Sequence, residues 1–195
     1  MDTMFSLDRA LDAAGELLAR RQQTAAIVVV GGTGLNLLGI IERATRDVDV
    51  IAIATVQRHG EPGAIGPPDP LPAPLVDVVA TVARDLGLPP DWLNATVGGQ
   101  WKTGLPPGFA GRITWRRLGG LWVGLPDPID FIYLKLYAAA DDIGPASKHF
   151  KDLLALQPTA EELAAARVWI QGQDSSPAVA EALHRVIAHV RAEGR

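Results

Sequence analysis

The chain has 195 residues, 48% of them hydrophobic, with a formal net charge of -4 and no cysteine. That length suits one medium domain or a core domain with a helical appendage. The charge excludes a broadly basic nucleic-acid-binding surface, and the lack of cysteine excludes disulfides and thiolate metal sites. No apolar run approaches the ~20 residues of a membrane span, and the N-terminal stretch lacks a signal-peptide core, so a cytoplasmic protein without a membrane role is expected.

The spacing of Leu7, Leu11, Ala14, Leu17 and Leu18 predicts a helix over residues 8–22. A buried apolar strand over 25–30 follows, then the turn Gly31-Gly32-Thr33-Gly34 and a short helix over about 35–42. A second strand is expected over about 47–53, opening on Asp47-Val48-Asp49. Residues 59–74 are rich in Gly and Pro and read as a long surface loop, a candidate lid. Leu75, Val78, Val79, Val82 and Leu86 predict a helix ended by Gly87. Pro89 to Leu93 reads as a helix start, followed by a glycine-rich loop. Strands are expected at 112–117 (RITWRR) and 121–125, joined at Gly119-Gly120. Four helices complete the chain, opening near Asp127 or Asp130, at Lys148, at Thr159 and at Ser176 or Pro177. The fold class is α/β (α+β): a small mixed sheet flanked by helices, residues 1–126, with a helical C-terminal portion, residues 127–195.

The chemistry concentrates between Ile27 and Ala54. Carboxylates at i and i+2 of a strand share one face, because side chains alternate with period two. Beside a glycine-rich turn, Asp47 and Asp49 can hold a divalent cation against a phosphate chain. A dinucleotide-binding turn is the competing reading of the glycines, but Leu37 stands where the third glycine belongs, and the acids lie at the wrong end of strand two for ribose recognition. A ligand-free structural turn is the plain alternative.

The run GGTGLNLLGIIERATRDVDV resembles the signature of the DNA-polymerase-β-like nucleotidyltransferase superfamily: Gly-Gly, about a dozen residues, then Asp-x-Asp. In its Arg43-x-Thr45-x-Asp47-x-Asp49 form it is similar to the minimal nucleotidyltransferases of the abortive-infection (AbiEii-like) toxin group. The resemblance implies that Asp47 and Asp49 bind Mg2+ (or Mn2+), and that Gly31, Gly32, Thr33, Arg43 and Thr45 contact a nucleoside triphosphate. A weaker resemblance over 127–156 implies that Lys135 contacts nucleotide phosphate and that Asp152 supports the catalytic site. It further implies an RNA (such as tRNA) or protein acceptor, and a toxin role with an antitoxin partner.

One departure stands out. Many active relatives carry a third carboxylate on a later central strand, and the candidate strand, RITWRR, holds Arg112, Arg116 and Arg117 but no acid. Either that acid is dispensed with, or Asp152 replaces it, or the chain is a catalytically weakened protein that binds nucleotide or a partner without turnover. The arginines read as an exposed strand face or as a local patch for RNA or triphosphate. Trp101, in a glycine-rich stretch, is the tryptophan most open to a base-stacking role. The four histidines show no metal-ligand spacing.

Overall fold

The structure, a computed structural model, describes residues 4–57, 60–141 and 147–193. The chain divides into two compact units, one of Met1–Lys102 with Ala110–Pro126, the other of Thr103–Phe109 with Asp127–Arg195.

The first unit is a mixed sheet with helices. Helix α1 (Met4–Arg20) precedes strand β1 (Ala25–Val30), helix α2 (Gly31–Leu37), strands β2 (Val48–Val56) and β3 (Pro62–Gly66), helix α3 (Ala73–Leu86), strand β4 (Leu93–Asn94), and the hairpin β5 (Thr114–Leu118) and β6 (Leu121–Leu125). Strand order is β3-β2-β1-β6-β5, with β4 also paired to β2. Strand β1 is antiparallel to β2 and parallel to β6, and every one of its residues is buried. An uninterrupted Ala-Ala-Ile-Val-Val-Val run is what a central strand, covered on both faces, requires.

Helices α1 and α3 cover one face. Leu7, Ala10, Leu11, Ala14 and Leu18 of α1, and Leu75, Val78, Val79 and Val82 of α3, recur at helical spacing and are buried in one core with Ile27, Val29, Val48, Val50, Leu121 and Val123. Gly87 closes α3 in the left-handed conformation, its N–H bonded to the Ala83 carbonyl.

A one-turn helix, α4 (Gln100–Thr103), comes after β4 in the chain, and the second unit contains helices α5 (Pro128–Asp141), α6 (Lys148–Ala155), α7 (Ala160–Gln173) and α8 (Pro177–Glu193) around a separate core that includes Leu136, Leu153, Leu163, Ile170 and Leu183. A capping box opens α7: the Thr159 N–H donates to Glu162 Oε2 at 2.7 Å, and the Glu162 N–H to Thr159 Oγ1 at 3.1 Å.

Three elements differ from the sequence expectations. Helix α2 begins on Gly31 itself and ends at Leu37, so the glycine turn and the first helical turn are the same residues. The Gly/Pro-rich segment is not a plain loop, because Pro62–Gly66 pairs antiparallel with β2; an edge strand tolerates Pro at its first position, where the missing N–H costs no ladder bond. His59, at the start of that segment, lies outside the described residues. Pro89 to Leu93 opens no helix. Trp92, fully buried, donates its indole N–H to the Val79 carbonyl at 3.1 Å and accepts the Val48 N–H at 2.6 Å, which sets β4 parallel to the start of β2.

Trp92 thus joins α3, β4 and β2. Trp92→Ala is expected to lower the unfolding free energy by about 3–5 kcal/mol in urea titrations, the usual cost of emptying a buried aromatic site.

Candidate functional site

The site is built where β1 ends and β2 begins. Antiparallel pairing sets Asp49 opposite Val30, the last residue of β1. The next residue is Gly31, with φ +68°. A Cβ at Gly31 would lie 2.9 Å from Cγ of Asp49 and closer still to its carboxylate oxygen. Only a residue without a side chain fits both the backbone conformation and the packed carboxylate. At Gly32 a Cβ would meet Thr45 Cγ2 at 2.6 Å and the Arg43 guanidinium at 2.8 Å. The two glycines therefore bring Asp49, Arg43 and Thr45 directly onto the main chain of the turn.

Burial alternates along the acidic pair. Val48 and Val50 are buried, whereas Asp47 and Asp49 are partly exposed. This is the two-residue period expected of a strand with one face on the core. Gly31 and Gly32 are also partly exposed, while Thr33, Gly34 and Leu35 are buried, so the open part of the turn is its first two residues.

Thr33 and Thr45 brace the arrangement from below. Their hydroxyls lie 3.0 Å apart, and the Thr33 hydroxyl donates to the Asp47 carbonyl at 2.6 Å. Both threonines are buried. A hydrogen-bonded contact of this kind fixes the spacing between the turn and the acidic strand start. Asn36 makes the matching strap on the other side: its amide donates to the Arg43 carbonyl at 2.8 Å and accepts the Arg43 N–H at 3.4 Å. Asn36 escaped the sequence reading. Its signal is an amide inside a short apolar helix, Leu35-Asn36-Leu37, where a side chain that competes for backbone hydrogen bonds is out of place unless it has a backbone partner.

The strand RITWRR is not where a third carboxylate would serve. Its residues 114–117 lie in β5, the sheet edge, three strand intervals from β2, or about 14 Å, while Arg112 ends a 3-10 turn before the strand. Asp49 has β1 on one side and β4 on the other, where Asn94 is in register with it. The Asn94 side chain accepts the Thr96 N–H at 2.9 Å. On β5, Arg116 and Arg117 are exposed, and Arg117 lies 5.6 Å from the Trp122 ring centre and donates to the Gly119 carbonyl. Charge on an edge strand discourages pairing with another chain.

Lys135 and Asp152 belong to the helical unit. Lys135, on α5, donates to Asp152 Oδ2, on α6, at 2.7 Å, and the two side chains are 6% and 1% exposed. The contact ties α5 to α6 through a charge pair removed from water. Asp152→Asn should destabilise the helical unit by about 3–5 kcal/mol, because it removes one charge of a buried ion pair. Thermal unfolding of the wild type and the variant is the check.

Residues 5–61 match the model of a family described as "Nucleotidyltransferase of unknown function (DUF6036)". The matched stretch includes β1, the Gly31-Gly32 turn, Arg43, Thr45, Asp47 and Asp49. No curated protein and no solved structure gives a match. In the part that builds this site, the chain is similar to a nucleotidyltransferase.

Proposed function

We propose that this protein transfers a nucleoside monophosphate from a nucleoside triphosphate to a hydroxyl acceptor. The observation that carries the reading is the placement of the Asp49 carboxylate against Gly31, which sets a carboxylate beside the partly exposed main chain of the turn. The family match over the same residues supports it.

Asp47 and Asp49 offer the hard carboxylate oxygens that Mg2+ or Mn2+ takes. Among the described residues no group of three or more His, Cys, Asp or Glu forms a metal-binding cluster. Two protein carboxylates plus nucleotide phosphates and water suit Mg2+, which keeps several non-protein ligands. When bound, such an ion supplies charge neutralisation for the triphosphate and its leaving pyrophosphate. The chain's own contribution is positioning. The N–H groups of the turn meet phosphate oxygens, and Arg43, held over Gly32 by Asn36, adds a planar cationic donor for them. Thr33 and Thr45 keep the turn at its distance from Asp47. In-line attack by the acceptor on the α-phosphorus forms the new P–O bond as the bond to pyrophosphate breaks, with rate gained mainly from orientation and preset electrostatics.

Resemblance to the abortive-infection group supports an RNA end, such as that of a tRNA, or a protein side chain as the acceptor, and a toxin role beside an antitoxin. A second reading, nucleotide binding without turnover, is favoured by one observation: the residue in register with Asp49 on the adjoining strand is Asn94, an amide that adds no negative charge to the site.

The test is incubation with Mg2+, acceptor RNA or protein, and each triphosphate labelled at the α-phosphate. Label should pass to the acceptor with release of pyrophosphate, and Asp49→Asn should slow it by about 100-fold or more. Equal transfer by both proteins would remove Asp49 from the reaction. Magnesium-dependent nucleotide binding by calorimetry, with no pyrophosphate released, would select the second reading.

A further inference from the structure

We propose that the indole of Trp101 is the platform on which the base of the bound nucleotide stacks. The inference rests on the nucleotide reading of the preceding subsection and names the part of the ligand that the acidic pair does not touch.

The location comes from one hydrogen bond. Trp101 donates its indole N–H to the carbonyl of Ile51 at 2.6 Å. Ile51 follows Asp49 by two residues on β2, or about 6.6 Å along the strand. On this strand β4 pairs with Val48 and Asp49, and β3 pairs from Ile53 onward. The Ile51 carbonyl falls in the interval between those two partners, and the indole fills it. The nitrogen edge of the ring is thereby anchored to β2, two residues along the strand from Asp49.

The ring is not spent on the core. Trp92, on the same stretch of chain, is fully buried and contributes to the apolar core under α3, whereas Trp101 is only partly buried and stands outside that core. A large apolar ring with a fixed edge and part of its surface uncovered is the arrangement that base stacking uses. Because every base has a π-face, stacking on Trp101 favours a nucleotide over bare polyphosphate and discriminates weakly among the four bases.

Calorimetric titration of the full chain with ATP and with inorganic tripolyphosphate, each with Mg2+, tests this. The wild type should bind ATP more tightly than tripolyphosphate. Trp101→Leu should weaken ATP binding about tenfold and leave tripolyphosphate unchanged, while Trp101→Phe, which keeps a ring without the N–H, should stay within about threefold of wild type for ATP. Unchanged tripolyphosphate affinity also reports that the variants are folded. Equal affinity of the wild type for the two ligands, unaltered ATP binding in Trp101→Leu, or a parallel loss of both ligands in Trp101→Leu and Trp101→Phe would each overturn the platform while leaving the phosphate site standing. Binding of neither ligand by the wild type would overturn the platform and the nucleotide reading together.

Discussion

The antiparallel register of β1 and β2 is the constraint on which the candidate site depends. It sets Asp49 opposite Val30, and so delivers the carboxylate to the backbone of Gly31. A shift of one residue would turn Asp49 into the core and Val48 or Val50 toward the turn, because strand side chains alternate between faces. The apolar contacts of Val48 and Val50 beneath α1 and α3 are what forbid that shift. Core packing and site geometry are in this sense one interaction seen from two faces of a strand.

Around this register the chain spends short polar contacts on holding rather than binding. Thr33 and Thr45 brace the turn against Asp47, and Asn36 holds the backbone of Arg43. Such straps order the approach to β2, which is otherwise irregular from Leu38 to Asp47, and preset the charges at the turn. In the proposed transfer, preorganisation of this kind would supply most of the rate. Asn94, in register with Asp49, adds an amide and no carboxylate beside the acidic pair. The helical unit holds its own charge pair, Lys135 with Asp152, which links α5 to α6.

Much of this was readable from residue order, for physical reasons that differ by element. The helices α1, α3, α5, α6, α7 and α8 carry strong period-3.6 stripes or side-chain caps, and β1 is an unbroken apolar run; those signals are local. The Asp47/Asp49 pair and the glycine turn were legible because they are close in sequence and their chemistry is specific. Strand β3 was hidden because Pro62-Gly63-Ala64-Ile65-Gly66 has loop composition and becomes a strand only through an edge of β2. The two-residue β4 was hidden because Trp92, not a strand pattern, places it. Asn94 beside Asp49 and Trp101 on Ile51 are separated from their partners by some 45 to 50 positions, and no local period announces such a contact. RITWRR reads locally as a strand, but its place at the sheet edge is set by strand order, a long-range property.

The central claim is that phosphate and metal meet at the junction of β1 and β2. Paramagnetic broadening of backbone amide signals by Mn2+ bound with a nucleoside triphosphate tests it most directly. The account predicts strongest broadening at Gly31, Gly32, Val48 and Asp49, removed when Asp47 and Asp49 are both replaced by asparagine. Broadening centred on other residues, or broadening at these residues that persists in the double variant, would contradict it.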